Sequence, residues 1–202
     1  MSRRAKTLAQ KLSNADRRAQ LLETAQAIVR EQGTDALTLG ALAERAGVSK
    51  PIAYRHFETR SGLMIALYKE INERQSIALD DALKNTPARL PDVAQVIARS
   101  FMDCVIAVGP EFHAIAAAQK GDAQMNAYQR ELIEHYALSF CAVLTPLTSL
   151  PKETVRRRAF GIVGAADALS VEMMRGAISK DEAAADLAQL IVSWLSPERN
   201  PG

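Results

Sequence analysis

"GVSKPIAYRHF", Gly47 to Phe57, is the stretch whose reading decides the fold. A glycine turn runs into a short segment crowded with Lys50, Tyr54, Arg55 and His56. Ser49 suits a helix N-cap, where a hydroxyl can accept a first-turn amide. Pro51 is tolerated just inside, because first-turn amides have no intrahelical acceptor to lose. Ala53 and Phe57, one helical repeat apart, are the inward positions. Lys50, Ile52, Tyr54, Arg55 and His56 are left for the outer surface and the ends. A helix of about eight residues is about 12 Å long. That matches the width of the DNA major groove, ~12 Å.

Upstream, Thr38 is a good N-cap for a preceding helix. Leu39, Leu42 and Ala43 face inward there, with Glu44 and Arg45 outward. Gly47 ends that helix and Val48 plugs the space between the two. The segment 38–57 therefore reads as helix, tight turn, helix, an arrangement whose second helix lies in the DNA major groove. An earlier helix is expected over 14–32, with Leu21, Leu22, Ala25, Ile28 and Val29 on one apolar stripe. Gly33 should close it as a left-handed cap. No proline falls between Pro51 and Pro87, so one long helix is expected over 61–83.

The chain of 202 residues can bury most of its apolar surface without a metal or disulfide. Residues 1–60 carry 11 Lys or Arg against 6 Asp or Glu, and residues 61–202 carry 14 against 17. A basic module thus precedes a mildly acidic body, as expected of a protein that meets a polyanion. Cys104 and Cys141 have no zinc or redox spacing and read as buried free thiols of a reducing cytoplasm. The basic start "MSRRAKTLAQKLSNADRR" lacks the apolar core of a signal peptide. No run of about 18 apolar residues appears, so no membrane span and a cytoplasmic location are expected. His56, His113 and His135 form no metal-ligand pair, and no nucleophile motif is present. No catalytic site, metal or cofactor is expected.

"ALTLGALAERAGVSKPIAYRHFETRSGL", Ala36 to Leu63, resembles the DNA-binding signature of TetR-family transcriptional regulators. Thr38, Ala43, Ala46-Gly47-Val48-Ser49, Tyr54, His56-Phe57 and Leu63 carry the likeness, and the first helix with Gly33 extends it back to about Ala15. The resemblance implies roles by position. Lys50, Pro51 and Ile52 match positions that approach base edges. Tyr54 and His56 match phosphate-holding residues, with partial core packing the other reading of Tyr54. Thr38 matches a residue whose hydroxyl often meets a phosphate. Arg60 stands where the family often has a lysine, and its planar fork keeps a phosphate contact available. Ser49 and the variable position Arg55 complete the expected interface. Arg3, Arg4, Lys6 and Lys11 form a basic arm that either adds contacts to DNA or is a solubilising tail.

Periodicity is helical nearly everywhere, so the whole is expected to be all-α. Residues 1–60 are expected to be the three-helix DNA-binding domain, and 61–202 a helical ligand-binding and dimerisation domain. In "LPDVAQVIARSFMDCVIAVG", Val93, Ile97, Phe101, Cys104, Val105 and Val108 share a face. In "MNAYQRELIEHYALSFCAVL", Leu132, Tyr136, Phe140, Val143 and Leu144 do so. Resemblance implies that these helices surround a cavity. Candidate lining residues are Phe101, Met102, Val105, Phe112, His113, Met125, Tyr128 and His135, each of which also reads as core. A mostly apolar lining would suit a hydrophobic small molecule. Asp103, His113, Asp167 and Glu172 interrupt apolar runs and are expected at solvent or an interface. Gly161, Gly164, Ala165 and Ala168 suit close helix packing, with no strand or Lys-Ser/Thr to make a phosphate loop.

The last helix offers Ala184, Leu187, Leu190, Ile191 and Trp194, compatible with the family's four-helix dimer interface. A homodimer would set two recognition helices about one DNA turn apart, roughly 34–36 Å, to read a palindrome in double-stranded DNA. The functional expectation is a regulator, repressing until a hydrophobic effector releases it, with helix 61–83 as the lever. The alternative is a TetR-like DNA-binding scaffold acting through a protein partner, as in nucleoid occlusion.

Overall fold

Ser13 opens the first helix by accepting the Asp16 amide at 3.1 Å and donating to the Asp16 carboxylate at 2.7 Å. The computed structural model describes residues 12–108 and 123–196, and all its regular elements are helical. The chain divides into two compact units, Met1–Leu67 and Tyr68–Gly202.

In the first unit, α1 spans Asn14–Gln32, α2 Leu39–Arg45 and α3 Lys50–Phe57. α4, Arg60–Lys84, begins there and continues into the second. A 3-10 turn over Thr34–Ala36, not expected from the sequence, links α1 to α2. The α1 stripe is buried as its spacing requires, from Leu21 to Val29. Leu37, Leu39, Leu42, Ala43, Ala53 and Phe57 join it in the core. Each large apolar side chain buried this way contributes about 1.5–3 kcal/mol. The unit boundary falls inside α4, just after the buried Leu63, Met64 and Leu67. Gly33 differs from the expected left-handed cap. Its φ of 81° is paired with ψ of 172°, an extended region open essentially only to glycine. Its amide still closes the helix on the Val29 carbonyl at 2.8 Å.

In the second unit, α5 spans Leu90–Val108, α6 Ala123–Leu144, α7 Lys152–Met174 and α8 Lys180–Leu195. α5 packs on α8, α6 on α7, and α7 on α8. Val93, Ile97, Met102 and Val105 meet Phe140, Leu144, Ile162, Leu187 and Ile191 in one core. Both cysteines are free and buried. Two closures fix helix ends. Ser179 and Glu182 form a reciprocal capping box at the start of α8, and hydrogen bonding to Ser179 lowers the Glu182 pKa. At the end of α7, Gly176 takes φ 75° while Ala177 donates to Glu172 and Gly176 to Met173, both at 3.0 Å.

The small-residue face of α7 is only partly used for packing. A Cβ on Gly161 would lie 2.6 Å from the Trp194 ring, so that glycine admits α8 closely. Gly164 and Ala168 are exposed instead, with Phe160 and Trp194 also open to solvent. Asp103 is exposed and pairs with Lys180 at 2.7 Å, Asp167 is exposed, and Glu172 pairs with Arg175 at 3.2 Å. Among the described residues, no helix is long and apolar enough to cross a membrane.

Candidate nucleic-acid interface and effector pocket

The turn between α2 and α3 is made by backbone hydrogen bonds. Gly47 donates to Glu44 at 3.1 Å and Val48 donates to Ala43 at 2.9 Å. This double closure needs a left-handed residue, and Gly47 supplies it at φ 65°. A Cβ there would meet nothing within 4 Å, so the requirement is conformational rather than spatial. Val48 is half-buried. Ser49 sits at the N-cap, but its hydroxyl makes no capping bond. That departs from the expected capping role and leaves the exposed hydroxyl available to an incoming phosphate. Pro51 occupies the first turn, as its missing N–H favours.

Ala53 and Phe57 anchor α3 and are its only buried residues. Ser49, Lys50, Pro51, Tyr54 and Arg55 are exposed, and Ile52 and His56 are half-buried. Tyr54 keeps 51 % of its surface open, so it stands on the outer face rather than packing inward. Thr38 caps α2 by accepting the Ala41 amide at 3.1 Å. Its hydroxyl hydrogen remains able to donate. A Cβ at Gly40 would lie 3.8 Å from both Lys50 Cε and Thr38 Oγ1, which brings those two side chains to one place.

Two arginines of α1 complete this surface and were not expected from the sequence. The Arg18 guanidinium lies 5.0 Å from the Phe57 ring centroid and donates to the His56 carbonyl at 3.1 Å. Burial, and then the positive charges of Arg18, Arg55 and Arg17, lower the His56 pKa below its ordinary value. The imidazole is therefore neutral at neutral pH and sits in a positive field. The signal in the sequence was the Arg17-Arg18 pair opposite the α1 stripe, but its neighbour lies 38 residues away.

Arg60 is placed differently from the other candidates. Its Nε donates to the Leu37 carbonyl at 2.9 Å and a terminal nitrogen to the Thr34 carbonyl at 2.8 Å. The Asp35 carboxylate stands 3.7 Å away. The fork thus holds the segment leading to Thr38, a geometry that a lysine point charge does not reproduce. The arm residues Arg3, Arg4, Lys6 and Lys11 lie outside the described residues.

The second unit contains a pocket between α4, α5 and α6 that encloses about 520 Å³ when the open solvent at its mouth is included. Asn72, Ser76, Ile97, Ser100, Phe101 and Cys104 contribute to one side, and His135, Tyr136, Ser139 and Phe140 to the other. Tyr136 donates to Asn72 Oδ1 at 2.7 Å, and Asn72 Nδ2 donates to the Tyr128 hydroxyl at 3.2 Å. Burial raises the Tyr136 and Tyr128 pKa values and pushes the Cys104 thiol up to about 11. All three are neutral at neutral pH. A second, wider hollow adjoins it at Asn72, Ser76 and His135, and adds Lys69, Glu73, Tyr128 and Glu131.

Phe101 and His135 line the inner pocket, and Tyr128 the outer. Met102, Val105 and Met125 are buried but line neither hollow. Phe112 and His113 lie outside the described residues, as does the "EFHAIAAAQK" segment. The lining is mostly apolar, and α4 adds to it a polar stripe of Asn72, Gln75 and Ser76. Their helical spacing was the available signal.

Comparison with known proteins finds relatives for this geometry. Residues 21–67 match bacterial regulatory proteins of the tetR family. Over 76 residues the chain is 33% identical to the HTH-type transcriptional activator FasR of Mycolicibacterium smegmatis. That match covers 38% of this chain and 35% of FasR, about a third of the relative's length. The HTH-type transcriptional regulator BetI of Klebsiella pneumoniae is 25% identical over 191 residues, covering 92% of this chain and 94% of BetI. A TetR-family transcriptional regulator from Rhodococcus sp. shares the fold with a TM-score of 0.75 at 19% identity, covering 90% of this chain and 100% of that one. The likeness to the tetR family thus rests on residues 21–67, which hold the helix-turn-helix segment described above. The family and these relatives are transcriptional regulators rather than enzymes.

Proposed function

We propose that this protein is a homodimeric regulator of transcription that holds a palindromic operator and releases it when a small, largely hydrophobic molecule occupies the α4–α6 pocket. The outer face of α3 carries the reading. Two buried anchors, Ala53 and Phe57, leave Lys50, Pro51, Tyr54 and Arg55 exposed beside Thr38 and the Arg17–Arg18 pair. Phosphate contacts from Thr38, Ser49, Tyr54, Arg55 and His56 would supply most of the affinity and its salt dependence. Lys50 would read guanine edges and Ile52 a thymine methyl. Arg60 acts one step back, by fixing the segment that presents Thr38.

The exposed Phe160 and Trp194, with Gly164 and Ala168, support pairing of α7 and α8 with a second copy. Effector control requires only that the ligand bind the two states of the dimer with different affinity, typically by 1–3 kcal/mol. The test is to select DNA sequences on the purified protein and titrate the winners by fluorescence anisotropy. A few palindromic sites bound in a salt-sensitive, sequence-selective way are expected. Binding that ignores sequence sinks the proposal.

A further inference from the structure

We infer that the pocket beside Asn72 takes an uncharged, flat aromatic molecule bearing one hydroxyl or amide group, anchored by Asn72 and packed among Phe101, Tyr136 and Phe140. This specifies the effector class and rests on the regulator reading above. Of the twelve described residues lining the inner pocket, none is Asp, Glu, Lys or Arg. An ion entering it would lose hydration with no carboxylate, ammonium or guanidinium among those residues to replace it. The charged side chains Lys69, Glu73 and Glu131 are confined to the outer hollow, where water remains close.

The apolar wall is aromatic. Phe101 and Tyr136 stand edge to face with centroids 6.2 Å apart, and Tyr136 and Phe140 are tilted at 6.2 Å. Such a row favours a flat ring in offset or edge contact. The polar end is set by what Asn72 has left to offer. A carboxamide has two N–H donors and an oxygen with two lone pairs. Tyr136 takes one lone pair and Tyr128 one donor. One donor and one acceptor remain on the same group. A hydroxyl or an amide answers both at once. A carboxylate answers only the donor, and an ammonium only the acceptor.

The experiment is isothermal titration calorimetry of the full chain at pH 7.5 with three ring-matched probes: 2-naphthol, 2-naphthoate and protonated 2-naphthylmethylamine. 2-Naphthol should bind at least tenfold more tightly than either ion. Asn72→Leu should remove that advantage. Asn72→Asp places a charge at the anchor and should shift the preference to the ammonium, so the idea does not depend on one variant folding. Equal or tighter binding of either ion to the unaltered protein would overturn the inference. So would no binding by any probe, or an unchanged ranking in folded Asn72 variants. Anisotropy on operator DNA separates the two readings. 2-Naphthol that binds at Asn72 but leaves the DNA held confirms the pocket chemistry and breaks the effector role. Failure to bind any DNA breaks the regulator reading alone.

Discussion

On α3, Lys50 and Arg55 extend into solvent with no ion-pair partner among the described residues, whereas at Asn72 two tyrosine hydroxyls already hold the amide in place. Both regions are polar faces of helices, yet they are built for opposite partners. A side chain awaiting phosphate stays hydrated and unpaired until the partner brings the opposite charge. A side chain facing a partly dry pocket needs its hydrogen bonds made beforehand, since an unsatisfied buried group is costly. The contrast separates affinity that salt weakens from affinity that it leaves alone.

The largest expected effect tests the anchoring of α3. Phe57→Ala removes a buried ring and the seat of the Arg18 guanidinium, and should cost the first unit about 3–5 kcal/mol. Urea melts monitored with DNA binding will show whether both are lost together. A loss under about 1 kcal/mol would mean that α3 is held by its turn alone.

Arg60→Ala should destabilise by about 1–3 kcal/mol, because it leaves the Leu37 carbonyl without its side-chain donor and the Thr34 carbonyl with the Leu37 amide alone. Arg60→Lys should recover only part of this. If DNA affinity instead falls while the melt is unchanged, Arg60 is a direct phosphate contact.

A smaller effect separates the roles within α3. Tyr54→Ala should weaken all sequences alike, by about tenfold or ~1.4 kcal/mol. Lys50→Ala should alter which bases are preferred. Uniform loss across a DNA library for Lys50→Ala would remove it from base reading.

Across the comparison, Tyr136→Phe should cost about 1 kcal/mol by unpairing Asn72 Oδ1, and should leave the salt dependence of DNA binding untouched. A changed salt slope would break the contrast between the two regions.

The smallest effect is a pH dependence. Since the His56 pKa is lowered in the free protein, the stability it gives is present above the ordinary value of 6.5 and is lost as pH falls through the folded value. Bound phosphates would raise that pKa, so affinity should rise on acidification from pH 7.5 to 6. The gain should be under about tenfold, the size of a one-unit shift. Anisotropy on His56→Gln should show no such gain.

What the sequence determined by itself is nearly everything local in the first unit. The bounds of α1 and α3, the Thr38 cap, the Gly47 turn and the two anchors of α3 all follow from spacing of a few residues. Helix periods, caps and left-handed turns act over one or two turns of chain, so their signals are complete in a short window. Tertiary structure decided the rest. Arg60 finds its carbonyls 23 and 26 residues away, and Asn72 meets its tyrosines at 56 and 64. Which faces of α4, α5 and α6 converge depends on side-chain packing summed over the whole core. The same polar stripe of Asn72, Gln75 and Ser76 would read as solvent-facing in any window of α4 alone. Only the closing of three helices around it makes it the wall of a pocket.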